Sequence, residues 1–519
     1  MTKIFAWIYD VWYNKRNKMK ERDYMEKVHL SKSKYCKAKQ CNKILWLNKY
    51  KPECAETTAS ESVLENGTEV GELARELFGK YINIEYQSDL SKMIEQTKRY
   101  IETKPNIITE ASFDYNKNFC SVDILKNDMD GLEIYEVKSS TVISDIYLDD
   151  ISYQVYILLN LGYKVKKASI VYINNQYVRN GKLELDKLFN IKDVTEIAFS
   201  KQEEIKEKIE EINKYMEQES EPTQDIGKHC FNPYNCEYWN YCTRKLPENN
   251  VFKIRRMRKD QKLNLYNKGI YKFKDLLNQD IDWKFKQQVE FEELNKKPVI
   301  DKEKIRAFMK DLYYPLYFLD FETFQQPIPK YDGIRPYMQI PFQYSLHYIE
   351  NEKGELKHKE FLAEAGIDPR RKLAEKLVND IPKNACVLAY NMQFEKMVIK
   401  NLAELYEDLR EDLLIIHNNI KDLMIPFVDR MYYCKEMQGS YSIKYVLPAL
   451  FPDDPELDYH NLPLVHNGGE AMSVFATLDQ KTKEEQEKIR QGLLVYCKLD
   501  TYAMVKIWEK LDEVIRRGE

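Results

Sequence analysis

Residues 317–323 read YFLDFET, an aromatic and aliphatic run interrupted by two carboxylates one residue apart. Side chains on a strand alternate between faces, so Asp320 and Glu322 share one side while Leu319 and Phe321 take the other. Two like charges side by side repel, and burying either costs free energy unless it is paired. A divalent cation is the simplest partner that makes such a strand favourable.

Downstream, apolar strand patterns alternate with helical ones, which predicts an α/β layer fold for 311–519. ACVLAYNMQFEKMVIKNLAEL (385–405) reads as a short strand and then a helix, with Asn391 and Glu395 four apart on one helical face. IKDLMIPF ends another apolar run at Asp422. LLVYCKLDTYAMVKIWEKL (493–511) is helical, with Tyr496 and Asp500 four apart and Leu493, Val495, Leu499 and Met504 as its buried stripe.

The joint pattern resembles the three exonuclease motifs of the DnaQ-like family: D-x-E on a strand, N-x-x-F-E on a helix and Y-x-x-x-D on a late helix. The last form marks the tyrosine subtype. This resemblance implies an RNase H-like fold over about 315–512 and a 3′→5′ exonuclease activity. It also implies that Asp320, Glu322, Glu395 and Asp500 hold two Mg²⁺ or Mn²⁺ ions, hard cations that prefer oxygen and that activate a water and steady the leaving oxygen. Tyr496 would orient the water. The family usually ends its second motif in Asp; here Glu395 stands there, with Asp422 as the alternative ligand. Lys444, near a predicted helix start, is a candidate phosphate contact.

The segment 31–245 shows the same device. FCSVDILKNDMDGLEIYEVKSS (119–140) places Asp123 on one strand, and Glu136 and Lys138 on one face of the next. This hairpin resembles the PD-(D/E)xK nuclease core. The resemblance makes Asp123 and Glu136 metal ligands and Lys138 a group that orients or activates water. Gln154, on the following helix, stands where RecB-type nucleases carry a Gln motif. The helix over 67–81 lacks the His those nucleases use, leaving Glu69 or Glu72 as substitutes.

HCFNPYNCEYWNYC gives Cys230, Cys236 and Cys242 at even spacing, and Cys41 opens the domain. One early and three late cysteines around a RecB-like core are similar to the AddB and CRISPR-associated iron–sulfur nucleases. Four thiolates suit a [4Fe–4S] cluster, the form that the resemblance implies, or zinc. Cys36 and Cys54 are the rivals of Cys41. Cys120, Cys386, Cys434 and Cys497 lie singly in apolar surroundings and read as core residues.

Composition bounds the rest. The chain has 519 residues, too many for one core, with Lys+Arg 80 against Asp+Glu 84. Net charge therefore gives no support to nucleic-acid binding, and any basic surface must be local. The densest basic run is FKIRRMRKDQK (252–262), read as a solvated helix face or a phosphate contact, within a helical connector at 246–310. There KLNLYNKGIYKFKDLL has a helix–Gly turn–helix pattern of helix-hairpin-helix type. No apolar run approaches the length of about 18 that a spanning helix needs. KIFAWIYDVWY (3–13) reads as an amphipathic helix in an N-terminal extension over 1–30, with Met25 as a possible alternative start. Cysteine usage suits a cytoplasmic protein without disulfides.

These readings converge on a fusion of a RecB/AddB-like nuclease domain with a DnaQ-like exonuclease domain. The expected function is a two-site, metal-dependent nuclease acting on nucleic acid, DNA ahead of RNA, in repair or in defence against foreign DNA. The alternatives are an RNA exonuclease, and a nucleic-acid-binding scaffold with an inactive N-terminal site.

Overall fold

The computed structural model describes residues 30–56, 61–103, 105–128 and 130–516. The helix expected over 3–13 and Met25 lie outside these. The fold is mixed α/β, in two compact units. The described residues up to Lys245, with Pro327–Tyr337, form the first; Leu246–Gln326 and the chain from Met338 form the second.

The first unit is built on a seven-stranded sheet. Its strands are β1 (Leu30–Ser31), β2 (Ile82–Asn83), β3 (Ile107–Tyr115), β4 (Asn118–Asp128), β5 (Gly131–Lys138), β6 (Val165–Ile173) and β7 (Phe189–Asp193). The order is β2-β3-β4-β5-β6-β7, and β1 pairs with β4 in parallel. β4 and β5 are antiparallel, whereas β5 and β6 run parallel, joined by the helix Asp145–Asn160. That helix places Ile151, Tyr153, Val155, Ile157 and Leu158 in the sheet core and also buries Asp149, Asp150, Ser152 and Gln154. Pro327–Tyr337 completes the unit: Ile328 and Tyr337 join an apolar cluster with Val171 and Ile173. Arg179 Nη1 donates to the carbonyls of Pro329 and Lys330 at 2.9 and 3.0 Å.

In the second unit, β8 (Val299–Ile300) pairs with β14 (Tyr432–Tyr433) as a small ribbon. The main sheet has five strands: β9 (Leu316–Phe324), β10 (Ile340–Ile349), β11 (Lys357–Leu362), β12 (Cys386–Ala389) and β13 (Ile420–Asp422). Their order is β11-β10-β9-β12-β13, and β10 alone runs against its neighbours. The alternation expected of YFLDFET is present. Leu316 and Phe318 pack with the long helix Lys483–Arg516, while Tyr317, Leu319 and Phe321 pack with the helices Arg370–Asp380 and Gln393–Leu405. β9 is thus central and covered on both faces, which is why it reads as a continuous apolar run.

Three expectations are corrected. Val495 is exposed; it lies off the stripe of Leu493, Cys497, Met504, Ile507 and Leu511, which follows the three-to-four spacing of one helical face. The segment 246–310 is not a separate connector but belongs to the second unit, where Phe291 and Ile305 enter the core. The run at 252–262 is α-helical only from Lys259, after a short 3₁₀ turn at Val251–Lys253. Between the two, Arg255 and Arg256 stack over Tyr445 and Tyr441, with the guanidinium carbons 4.4 and 4.2 Å from the ring centres.

Candidate functional site

In the second unit, Asp320 and Glu322 leave β9 on the face covered by the long helix, and that helix supplies Asp500. One carboxylate oxygen from each of the three lies within 4.8 Å of the others. Glu395 comes from the first turn of the helix Gln393–Leu405. It is buried, and its Oε2 has no hydrogen-bond partner. Burial pushes all four carboxyls up, and mutual repulsion adds to it at Asp320 and Glu322. Glu395 rises to about 8 and Asp500 to about 6. Asp500 is held lower by hydrogen bonds from Tyr459, at 2.6 Å, and Tyr496. Lys444, exposed in the first turn of the helix Ile443–Leu450, draws down Glu322 and Asp500.

A converging, desolvated set of carboxylates with one buried oxygen unpaired is a donor set that fits a divalent cation. Asp320, Glu322 and Asp500 could each offer such an ion one oxygen, and Glu395 is a fourth carboxylate, buried, whose charge acts on Asp320 and Glu322.

Asp422, the alternative ligand, is committed elsewhere. Its Oδ1 accepts the backbone N–H groups of Asn391 at 3.0 Å and Met424 at 2.9 Å, and its Oδ2 accepts that of Met392 at 3.3 Å. Asn391 is not on the helix but in the turn before it, at φ 71°, a left-handed conformation that Asn tolerates better than most residues. Asp422 and Asn391 therefore shape the turn that delivers Glu395.

Two contributors escaped the sequence reading. Tyr459 lies in an irregular stretch with no periodicity to mark it. Gly468 opens the helix Gly468–Ala476, and a Cβ placed there would come 3.5 Å from Glu322 Oε2. The N-terminus of that helix thus approaches a carboxylate, the favourable sense of its dipole. A cavity of about 870 Å³ lies alongside, lined by Lys444, Tyr459, His466 and Asn467 among others.

The first unit brings Asp123, Glu136, Lys138 and Gln154 together as expected, and adds Lys32 and Asp150. Lys138 Nζ lies 2.7 Å from Glu136 Oε1 and 2.6 Å from Asp150 Oδ2. Gln154 Nε2 donates to Glu136 Oε2 at 2.7 Å and Asp150 Oδ1 at 3.2 Å. The Val137 N–H donates to Asp123 Oδ2 at 2.8 Å. Lys32 Nζ donates to Asp123 Oδ1 at 3.3 Å and to both oxygens of Glu136 at 3.1 Å. Despite burial, the Lys138 and Lys32 charges hold Glu136 well below the usual range, whereas burial and the Glu136 charge raise Asp123 to about 7. Glu69 and Glu72 are exposed on their helix, whose buried side carries Val70 and Ala74, and neither joins this group.

Cys41, Cys230, Cys236 and Cys242 line one small cavity, with Ile44, Leu47 and Tyr238 packed around it. Burial pushes Cys230 to about 11 and Cys236 to about 12. Cys54 sits at the edge of this cluster, while Cys36 packs toward the Asp150–Lys138 group. All the cysteines are free thiols.

Residues 317–442 match the family described as Domain of unknown function (DUF2779). The match spans β9 to the start of the helix Ile443–Leu450, and so includes Asp320, Glu322 and Glu395 but not Asp500. No curated protein and no solved structure matches the chain.

Proposed function

We propose that the chain is a divalent-metal-dependent nuclease whose hydrolytic centre is the Asp320–Glu322–Glu395–Asp500 group, working 3′→5′ on single-stranded DNA. The observation that carries this reading is the closure of three carboxylates, two from β9 and one from the long helix, to within 4.8 Å, with a Glu395 oxygen buried and unpaired. The strand order of the second unit, with one antiparallel strand, supports an RNase H-like centre. Mg²⁺ or Mn²⁺ bound there supplies an activated water and neutralises charge at the leaving oxygen.

The chain's own residues do the rest. Tyr459 and Tyr496 fix the orientation of Asp500 and keep it ionised more readily than burial alone would allow. Lys444 offers a positive charge at the mouth of the cavity for a phosphate. The turn held by Asp422 sets the height of Glu395 relative to β9. A strand end is the natural occupant of a site walled by the long helix on one side and a cavity on the other.

In the first unit the four cysteines are read as the ligands of a [4Fe–4S] cluster, tying the N-terminal helix pair Lys32–Tyr50 to the segment around Cys230–Cys242. Cys41, Cys230, Cys236 and Cys242 line one cavity, the donor set that either the cluster or zinc would take. Free thiols suit a reducing, cytoplasmic setting, and among the described residues no helix is long and apolar enough to cross a membrane. Repair or defence against foreign DNA is the setting such a nuclease would serve.

The test uses single strands of matched DNA and RNA sequence, labelled at the 5′ end and incubated with Mg²⁺. Stepwise shortening of the DNA, absent in EDTA and in Asp320→Asn, is expected. Preferential shortening of the RNA would replace DNA by RNA as substrate. No cleavage of either would overturn the nuclease reading.

A further inference from the structure

We propose that the carboxylate site of the first unit is closed by its own chain: the Lys32 ammonium stands where Asp123 and Glu136 would otherwise grip a divalent cation. The inference concerns the first unit alone and does not rest on the exonuclease reading of the second.

A metal does not fit this site as it is built. Each oxygen of Asp123 and Glu136 already has a donor: Lys32 and Val137 N–H for Asp123, and Lys32, Lys138 and Gln154 for Glu136. Lys32 reaches three of the four oxygens at once, at 3.1–3.3 Å. That is the bridging position a shared cation takes, at the longer distance an ammonium needs; Mg²⁺ would sit at about 2.1 Å. A divalent ion and the ammonium cannot both occupy it, because their charges repel at contact distance.

Lys32 is held there by the fold and does not wander in from the surface. β1 immediately precedes it and is registered on β4, with Leu30 opposite Asn118 and Ser31 opposite Phe119. Tyr153 Oη donates to the Leu30 carbonyl at 3.1 Å. Ser31 caps the helix Lys32–Gln40 by accepting from the Lys34 N–H. The side chain is about one-fifth exposed. Backbone pairing on one side and a capped helix on the other thus aim one lysine at two carboxylates that lie 91 and 104 positions away. An ammonium tethered in this way competes with a free cation at high effective concentration. In this form the first unit is not a metal-dependent hydrolase, and its acidic residues serve an internal ion-pair network with Lys138, Asp150 and Gln154.

The experiment uses the full chain carrying Asp320→Asn and Asp500→Asn, so that the second unit cannot bind metal. Mn²⁺ is titrated and free Mn²⁺ is read by electron paramagnetic resonance. With Lys32 present, no stoichiometric binding is expected; with Lys32→Met added, one Mn²⁺ site should appear. Stoichiometric binding while Lys32 is in place would overturn the proposal. So would a lack of binding in both proteins, since the carboxylates would then never have formed a cation site. A second measurement needs no Lys32 variant. Amine labelling read by mass spectrometry should leave Lys32 protected, equally with and without Mn²⁺. Labelling of Lys32 that increases on adding Mn²⁺ would show the ammonium displaced, and would likewise overturn the proposal.

Discussion

Asp500 accepts hydrogen bonds from two tyrosines, Tyr459 and Tyr496, and that support is measurable. A hydrogen bond to a charged acceptor contributes about 1.5–3 kcal/mol, so Tyr459→Phe should lower Mg²⁺-dependent cleavage by roughly 10- to 100-fold. Steady-state kinetics against a 5′-labelled strand checks this. Asp320→Asn removes a bridging charge and should cost several kcal/mol of transition-state stabilisation, about 10³-fold or more. Glu395 predicts a pH effect. Its carboxyl rises to about 8, so between the ordinary carboxylate range and pH 8 the folded chain keeps a proton that the unfolded chain has released. The folded state binds more protons there, so stability falls as pH rises, by up to about 1.4 kcal/mol per pH unit for this group. Thermal melts in EDTA from about pH 5 to about pH 8 should show the decline, and Glu395→Gln should make it shallower, the other raised carboxyls keeping part of the slope.

At the scale of elements, the decisive joint is the turn between β12 and the helix Gln393–Leu405. Asp422 accepts two backbone N–H groups of that turn and a third from Met424 beyond β13, and Asp422→Ala leaves all three without that acceptor. A cost of about 2–3 kcal/mol is expected, together with a loss of cleavage, because Glu395 rides on the turn. Asn391→Gly should be nearly neutral, while Asn391→Val should destabilise by about 1–2 kcal/mol, since β-branched residues resist the left-handed region. Denaturant melts separate these cases. The same joint shows where sequence reading succeeds and stops. β9 and the long helix were legible because alternation of two and spacing of three to four leave periodic marks, and those marks carried Asp320, Glu322 and Asp500 with them. Asn391 was misplaced by two residues because a helix boundary depends on turn geometry, which has no period. Tyr459 opens a single three-residue turn, and Gly468 is the first residue of its helix, where no side chain marks the approach to Glu322. Lys32 reads as an ordinary surface lysine, and only the pairing of β1 with β4 brings it to Asp123.

The whole molecule adds the thiol cluster and the path of the chain. Protein purified without oxygen should carry iron and inorganic sulfide, with a broad visible absorption that Cys230→Ser removes; zinc in place of iron would revise the cluster. The segment Pro327–Tyr337 has the wider consequence. It departs after β9, lends Ile328 to the apolar cluster of the first unit and gives the Tyr337 hydroxyl to the Ser139 carbonyl at 2.7 Å, one residue beyond Lys138. Then it returns to begin β10. A gene cut once, at Lys245, would pass on a first half missing a piece of its own interior and a second half carrying a foreign loop. Dividing the two units cleanly therefore takes three breakpoints in the chain, not one.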